Sequence, residues 1–206
     1  MDHAVSAIIP IRPEEVEHHT LIKQLVRYTP IKELIVSTSC KKQCSDERYP
    51  ENVKIVLGSS GRAKQLNEAA KSATSPYLWF LHADTRINEE TFPSLIRSIE
   101  KNKNSLHYFN LKFQKSSLLS PIVLNEIGAY ARSHLLKLPF GDQGLCIAKD
   151  IFKKIGAFDE SLKIAEDLNF VLRAKKLGVM PQCTDCLLYT SPSPRDATLS
   201  RMPSSA

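Results

Sequence analysis

Residues 77–87 read YLWFLHADTRI: five mostly apolar positions, Tyr77 to Leu81, run straight into His82, Ala83, Asp84 and Thr85. A short apolar run bounded by turn chemistry is the pattern of a buried strand. In an open α/β sheet, ligands sit outside the carboxyl ends of the strands. His82 and Asp84 lie just past such an end. A lone Asp84 could equally cap the next turn, because Asp-Thr is good turn chemistry, so the rest of the chain has to decide.

Outward from this run, short apolar stretches alternate with helical patterns. Ala4 to Ile9 reads as a strand ended by Pro10; Glu33 to Ser37, Val53 to Leu57 and Leu106 to Phe113 read as further strands, and Leu145 to Ala148 as a short one. Between them, Glu14 to Tyr28 sets Ile22, Leu25 and Val26 on one helical face. Ala63, Leu66, Ala70 and Ala73 mark a second helix, and Phe92, Leu95, Ile96 and Ile99 a third. Near the end, Leu168, Val171, Leu172 and Leu177 predict the apolar face of a helix opened by Glu166 and Asp167. Strands alternating with helices of this length predict βαβ units and a mostly parallel sheet. The stretch Lys115 to Leu138 is poorly patterned and reads as a loop with one helix.

Four other pieces bear on the strand end. IIPIRPEE places Pro10, Ile11, Arg12, Glu14 and Glu15 where a strand passes into a helix. Carboxylates there also satisfy a helix dipole without any ligand. GSSGRAKQLN enters a helix with Arg62 in its first turn, a turn that can bring backbone N–H groups and a cation to a phosphate, or can be a plain loop. FGDQG sets Asp142 and Gln143 between two glycines before a short strand, and Gly156 closes a helix; both are also ordinary turn punctuation. Glu166 and Asp167 in a first helical turn are routine by themselves.

In this order and spacing the pieces resemble the family 2 glycosyltransferases of GT-A fold. They are closest to a small bacterial-type branch with the elements Gly61-Arg62-Ala63-Lys64-Gln65-Leu66-Asn67, Phe80 to Thr85, Gly141 to Gly144, Gly156-Ala157-Phe158 and Glu166-Asp167. Some members of that branch carry the name of arsenosugar-biosynthesis glycosyltransferases. The resemblance spans about Val5 to Asp185 and implies an α/β, Rossmann-like three-layer sandwich with a mostly parallel central sheet. It implies metal-dependent, inverting transfer of a sugar from a nucleotide-diphosphate-sugar to an acceptor hydroxyl.

By the same resemblance, Asp84 matches the last acidic residue of a D-x-D element and is the expected ligand of Mn²⁺ or Mg²⁺, which prefer hard oxygen donors. His82 stands where the first acidic residue would be and, with Ala83, is expected near the ribose or phosphates. Pro10, Ile11, Arg12 and Glu14 match the nucleotide-contacting loop after strand one, and Arg62 a donor contact. Asp167 matches the catalytic base, with Glu166, Asp142 and Gln143 on the acceptor side. The pattern departs after strand two, where Val36 to Ser39 offers no carboxylate to read the base. A UDP-sugar donor is favoured; the acceptor, small-molecule or lipid-linked, is open. The competing readings are a non-catalytic nucleotide-sugar binding protein and a nucleotidyltransferase. The latter usually carries a Gly-rich, Arg-containing loop after strand one, which PIRPEE does not match.

The totals agree with one folded domain. The chain has 206 residues, 42% hydrophobic, with a formal charge of +6. That excess is modest and scattered, so no nucleic-acid partner is expected. No basic start with an apolar follow-on marks a signal peptide, and no stretch approaches the roughly 20 apolar residues of a membrane span. Five cysteines suggest reduced thiols, hence a cytoplasmic protein, with peripheral contact at the inner face of a membrane left open.

The last stretch, CLLYTSPSPRDATLSRMPSSA, reads differently. CLLYTSPSPRD back-translates to a sequence resembling a transposase adapter used in sequencing libraries, and SRMPSSA to the adapter beyond its index. Residues 1–185 are therefore expected to be the native domain, truncated at its C-terminus, and 186–206 a non-native tail. The Cys183/Cys186 pair would be an accident of the junction. An Arg/Trp-containing segment that closes on the diphosphate in the family would be missing, which points to an inactive or poorly stable chain.

Overall fold

The computed structural model describes residues 3–13, 15–44, 49–50, 52–113 and 132–190. Chain order is β1 (Val5–Pro10), α1 (His18–Tyr28), β2 (Glu33–Thr38), α2 (Lys41–Cys44), β3 (Val53–Leu57), α3 (Arg62–Ser72), β4 (Tyr77–Phe80), α4 (Thr91–Lys101) and β5 (Leu106–Phe113). A 3₁₀ turn at Gly141–Gln143, β6 (Cys146–Ala148), α5 (Lys149–Ile155), α6 (Glu166–Lys176) and β7 (Pro181–Thr190) complete it. The seven strands form one sheet in the order β3-β2-β1-β4-β6-β5-β7. Only β6 runs against its neighbours β4 and β5. The mostly parallel α/β sheet expected from the alternation is present.

Side-chain alternation along the strands splits the core into two. Val5, Ala7 and Ile9 of β1 join Trp79 of β4 and the inward faces of α1 and α4; Ile8, Leu78 and Phe80 join α3, α5 and α6 on the other face. The result is three layers, helices on both sides of a sheet, as parallel strands require. Trp79 is fully buried and stacks with Phe109 at 5.7 Å between ring centroids. On the opposite face Phe80, Phe152, Phe158 and Phe170 form a ring cluster with centroids 4.9 to 5.4 Å apart. These are ordinary aromatic packing distances.

The topology puts the crevice where the sequence pattern pointed. From β1 the chain steps to β2 and β3 on one side, then returns to place β4 on the other. The carboxyl ends of β1 and β4 therefore meet at a switch point, the usual ligand crevice of such sheets. Ladder bonds continue one residue past the named strands, from Leu81 N–H to Ile8 O at 2.9 Å and from Ile11 N–H to Ser37 O at 2.8 Å. This delivers Arg12 and His82 side by side.

Two expectations change. The inward face of α6 is Glu166, Phe170, Val171 and Ala174, while Leu172 and Leu177 are largely exposed. The expected face is shifted rather than lost, since Val171 is fully buried and Leu168 partly so, and the buried ion pair of Glu166 described below lies on the side that turns in. On α1, Leu21, Ile22 and Leu25 are buried and Val26 is exposed. Strand β7 runs past Asp185, pairing Leu187 to Thr190 with Asn110 to Phe113 of β5. Leu188 is fully buried, and the backbone of Tyr189 bridges to Arg86 through two hydrogen bonds of 2.6 and 3.1 Å. Of the poorly patterned Lys115 to Leu138, the described part includes a helical turn at 132–135. All five cysteines are free thiols, and among the described residues no helix is long and apolar enough to cross a membrane.

Candidate active site

Arg62 opens α3 after Gly61, whose φ of +124° only glycine adopts easily. The guanidinium therefore projects over the carboxyl ends of the strands. Its Nη2 donates to Nε2 of His82. Arginine has no lone pair to offer, so His82 Nε2 accepts and the ring hydrogen resides on Nδ1. Burial and the nearby guanidinium groups of Arg62 and Arg12 hold His82 well below the ordinary histidine range, so the ring is neutral at pH 7. The Nε of Arg62 makes an ion pair of 2.8 Å with Glu166, whose side chain is 6% exposed.

Asp167 follows Glu166 in the first turn of α6. Both its oxygens are fixed by backbone donors: Oδ2 accepts from Gly141 N–H at 2.6 Å and Oδ1 from Leu168 N–H at 2.7 Å. The turn into this helix is tight, and Ala165 holds a left-handed φ of 61° just before the pair. Such conformations are costly for a residue with a Cβ and gather at functional sites. Gly141 is the hub of the arrangement. A Cβ there would lie 2.9 Å from Asp167 Oδ2 and 3.3 Å from His82 Nε2. Elements spaced across the sequence thus meet around one glycine.

The loop after β1 is held by side chains rather than exposed for binding along its length. Ile11 is buried, and its carbonyl accepts from Gln65 at 3.1 Å. Arg12 is exposed; its N–H donates to Glu15 at 2.9 Å and its carbonyl accepts from Gln43 at 2.9 Å. Pro10 ends β1 in register with Ser37. Glu14 lies outside the described residues. At the end of β2, where no carboxylate stands, the Thr38 hydroxyl meets Gln43 and accepts from Cys40 N–H at 3.0 Å.

Past β4, Ala83 is buried and Asp84 half-buried. No group of three His, Cys, Asp or Glu side chains among the described residues could hold a metal ion. His82 already gives its Nε2 lone pair to Arg62. The carboxylate of Asp84 is of the hard oxygen type that Mn²⁺ and Mg²⁺ prefer.

On the far rim, Gln143 is 1% exposed and spent on the fold: its carbonyl accepts from Phe140 N–H at 3.0 Å and its amide donates to Phe109 O at 3.1 Å. Asp142 lies on the same turn. Sequence reasoning missed Arg132, in the poorly patterned stretch. Its guanidinium carbon sits 3.4 Å over the Phe140 ring, and its Nε donates to Leu138 O at 3.2 Å. Burial lowers its pKa, while the carboxylates of Asp142 and Asp167 pull the other way. Around a neutral His82 the structure thus gathers Arg62 with its partner Glu166, Arg12 within electrostatic reach of the ring, and Arg132 within reach of Asp142 and Asp167.

Known proteins share this frame. The profile of the family described as "Glycosyl transferase family 2" matches residues 6–142. A Haemophilus influenzae protein, named only as an uncharacterized glycosyltransferase, is 26% identical over 180 residues, covering 82% of this chain and 61% of its own length. The crystal structure of S. aureus TarS superposes with a TM-score of 0.68 at 21% identity, over 94% of this chain and 38% of that one. A form of TarS in complex with UDP-GlcNAc gives 0.68 over 92% and 59%. GalNAc-T7 with UDP, GalNAc and Mn²⁺ gives 0.70 at 14% identity, over 92% and 44%. At such identities the superpositions establish the GT-A fold, and the chain spans about three fifths of the curated relative it matches.

Proposed function

The chain belongs to glycosyl transferase family 2, and on that premise we propose that it moves a sugar from a nucleoside-diphosphate donor to an acceptor hydroxyl with inversion at the anomeric carbon. The observation that carries this reading is the convergence of Asp167, His82 and the Arg62–Glu166 pair on Gly141, at the carboxyl ends of β1 and β4.

Asp167 is the general base. Two backbone N–H groups fix its carboxylate, and each oxygen keeps a lone pair for an incoming hydroxyl. As the acceptor oxygen bonds to the anomeric carbon, its proton passes to Asp167. The bond from that carbon to the diphosphate breaks on the opposite face, and the electron pair leaves with the diphosphate. Positioned proton transfer contributes about 10²–10⁴-fold, and fixing the base in place adds to it. Arg62 and Arg12 face the developing charge of the leaving group. His82, kept neutral, lends its Nδ1–H as a donor without repelling a cation. Asp84 would hold Mn²⁺ or Mg²⁺ by one oxygen; such an ion supplies Lewis-acid stabilisation of the diphosphate. Gln143 acts as a positioning residue, and Glu166 holds Arg62. Asp142 and Arg132 stand on the acceptor rim.

UDP is the favoured nucleotide, since TarS was crystallised with UDP-GlcNAc and GalNAc-T7 with UDP. The test is thermal unfolding of the full chain with UDP, GDP, CDP and ADP, each with and without Mn²⁺, for wild type and Asp84→Ala. A ligand at about 100 times its Kd stabilises by about 2.7 kcal/mol, or about 5–10 °C for a domain of this size. The expected result is such a shift with UDP and Mn²⁺, lost in the variant. A cooperative melt that no nucleotide moves would refute the donor site.

A further inference from the structure

Between α3 and α5 lies a cavity of about 370 Å³ that plays no part in the chemistry above. Its apolar surface comes from Ala70, Phe152 and Phe158, and its rim carries Lys71, Lys149 and Lys153 against one carboxylate, Glu160. Glu160 is turned toward α3, accepting from Asn67 Nδ2 at 2.9 Å. Lys149 donates to the Ala73 carbonyl. Lys71 and Lys153 are exposed at the rim.

The lysine rim of this cavity lies away from the crevice. Arg62 begins α3 at the carboxyl ends of the strands, and Lys71 lies nine residues further along the helix, about 14 Å at 1.5 Å per residue. Lys149 N–H bonds at 2.8 Å to Pro76 O, just before β4 begins, which places the cavity toward the amino ends.

One wall is held in a conformation that a plain loop would avoid. Gly156 and Ala157 take left-handed φ values of 92° and 56° in succession. For alanine this conformation is costly. Arg173 pins the wall, donating to Ile155 O at 2.7 Å and to Ala157 O at 2.5 Å. Asn67 fixes the next residue, bonding Phe158 N–H at 3.0 Å and Phe158 O at 2.9 Å. The volume lies within the range of small-molecule sites, which are mostly apolar and largely pre-formed.

We propose that this cavity is a second ligand site, for an amphipathic monoanion: a carboxylate or sulfonate head on an aryl or acyl body. The ammonium groups of Lys71 and Lys153 take the head and Phe152 and Phe158 the body. The proposal is independent of the sugar-transfer reading.

The test is calorimetric titration of the full chain with 1-anilinonaphthalene-8-sulfonate, and separately with decanoate below its micelle concentration. The chains compared are wild type, Lys71→Glu/Lys153→Glu, Lys71→Gln/Lys153→Gln and Asp167→Asn. Expected is saturable one-to-one binding of at least one probe, at least tenfold weaker in the glutamate variant and weaker in the glutamine variant at unchanged melting temperature. Asp167→Asn and excess UDP should leave it unaltered. Preference for sulfonate marks an aryl ligand, and preference for decanoate an acyl one. Binding of wild-type strength in both lysine variants, displacement by UDP, or saturation with neither probe overturns the proposal.

Discussion

Replacing Gly141 by alanine isolates the contact on which the proposed mechanism depends. Gly141 is not among the glycines with positive φ, so alanine meets no backbone penalty there. The whole effect comes from the new methyl group, 2.9 Å from Asp167 Oδ2, 3.3 Å from Asp167 Cβ and 3.3 Å from His82 Nε2. A carbon and an oxygen rest comfortably at roughly 3.4 Å, so the carboxylate must retreat by about half an ångström. A flexible side chain would do so at little cost. Asp167 is not flexible: both oxygens hold backbone N–H bonds, at 2.6 and 2.7 Å, and retreat from Gly141 breaks the first. Losing a hydrogen bond to a charged group costs about 1.5–3 kcal/mol, a drop of about 3–12 °C in melting temperature for this chain length.

Turnover should suffer more than stability. A 1 Å misplacement can cost about 100-fold, so a shift of half that predicts roughly tenfold loss in kcat, with the donor KM nearly unchanged. The assay is release of nucleoside diphosphate from whichever donor the thermal panel selects, with Asp167→Asn as the lower bound. Unchanged kcat in a Gly141→Ala chain that melts several degrees lower would refute the placement of Asp167 as base. Unchanged kcat and unchanged melting would refute the geometry itself.

Glu166→Gln removes the carboxylate that holds Arg62 at 2.8 Å; the buried partner suggests a cost of about 3–5 kcal/mol, reduced because Arg62 is 31% exposed. Calorimetry should show it, and Arg62→Lys should lose donor affinity while keeping the fold. His107 is fully buried, with Nδ1 2.8 Å from the Ser98 hydroxyl, and burial lowers its pKa to about 4. Its folded form stays neutral while the unfolded chain takes a proton below pH 6.5, so stability falls as pH drops from 6.5 to 4, by up to about 3 kcal/mol. Denaturant titrations at several pH values should show a shallower slope in His107→Gln. Leu188→Ala empties a fully buried site against Gly144 and should cost about 2–5 kcal/mol. If it costs nothing in urea unfolding, strand β7 does not extend past Asp185.

That last variant also bears on how far the sequence could be read. Strands β1 to β4 were legible because each is a short apolar run next to a helix with a clean period, and local pattern matches global burial there. Two neighbours of the crevice carry a local mark as well: Arg62 follows Gly61 at the start of α3, and Asp167 stands in the first turn of α6. What was not legible is pairing at a distance. Nothing near Glu166 says that its partner is Arg62, so the inward face of α6 was set on leucines and missed Phe170. Nothing in Lys115 to Leu138 marks Arg132 as the cation over Phe140, because its setting comes from residues that follow it by several positions and from α6. Strand β7 shows the same limit from the other side. Read as translated adapter, CLLYT carries no expectation of structure; read by physics, Leu187, Leu188 and Tyr189 are a strand's worth of apolar residues beside an edge, β5, that needs pairing. We propose that residues 1–185 are the native unit and that the β5 edge captures whatever apolar segment follows. A sheet edge recognises backbone and side-chain polarity, not ancestry, so a segment of either origin would be seated there by the same bonds.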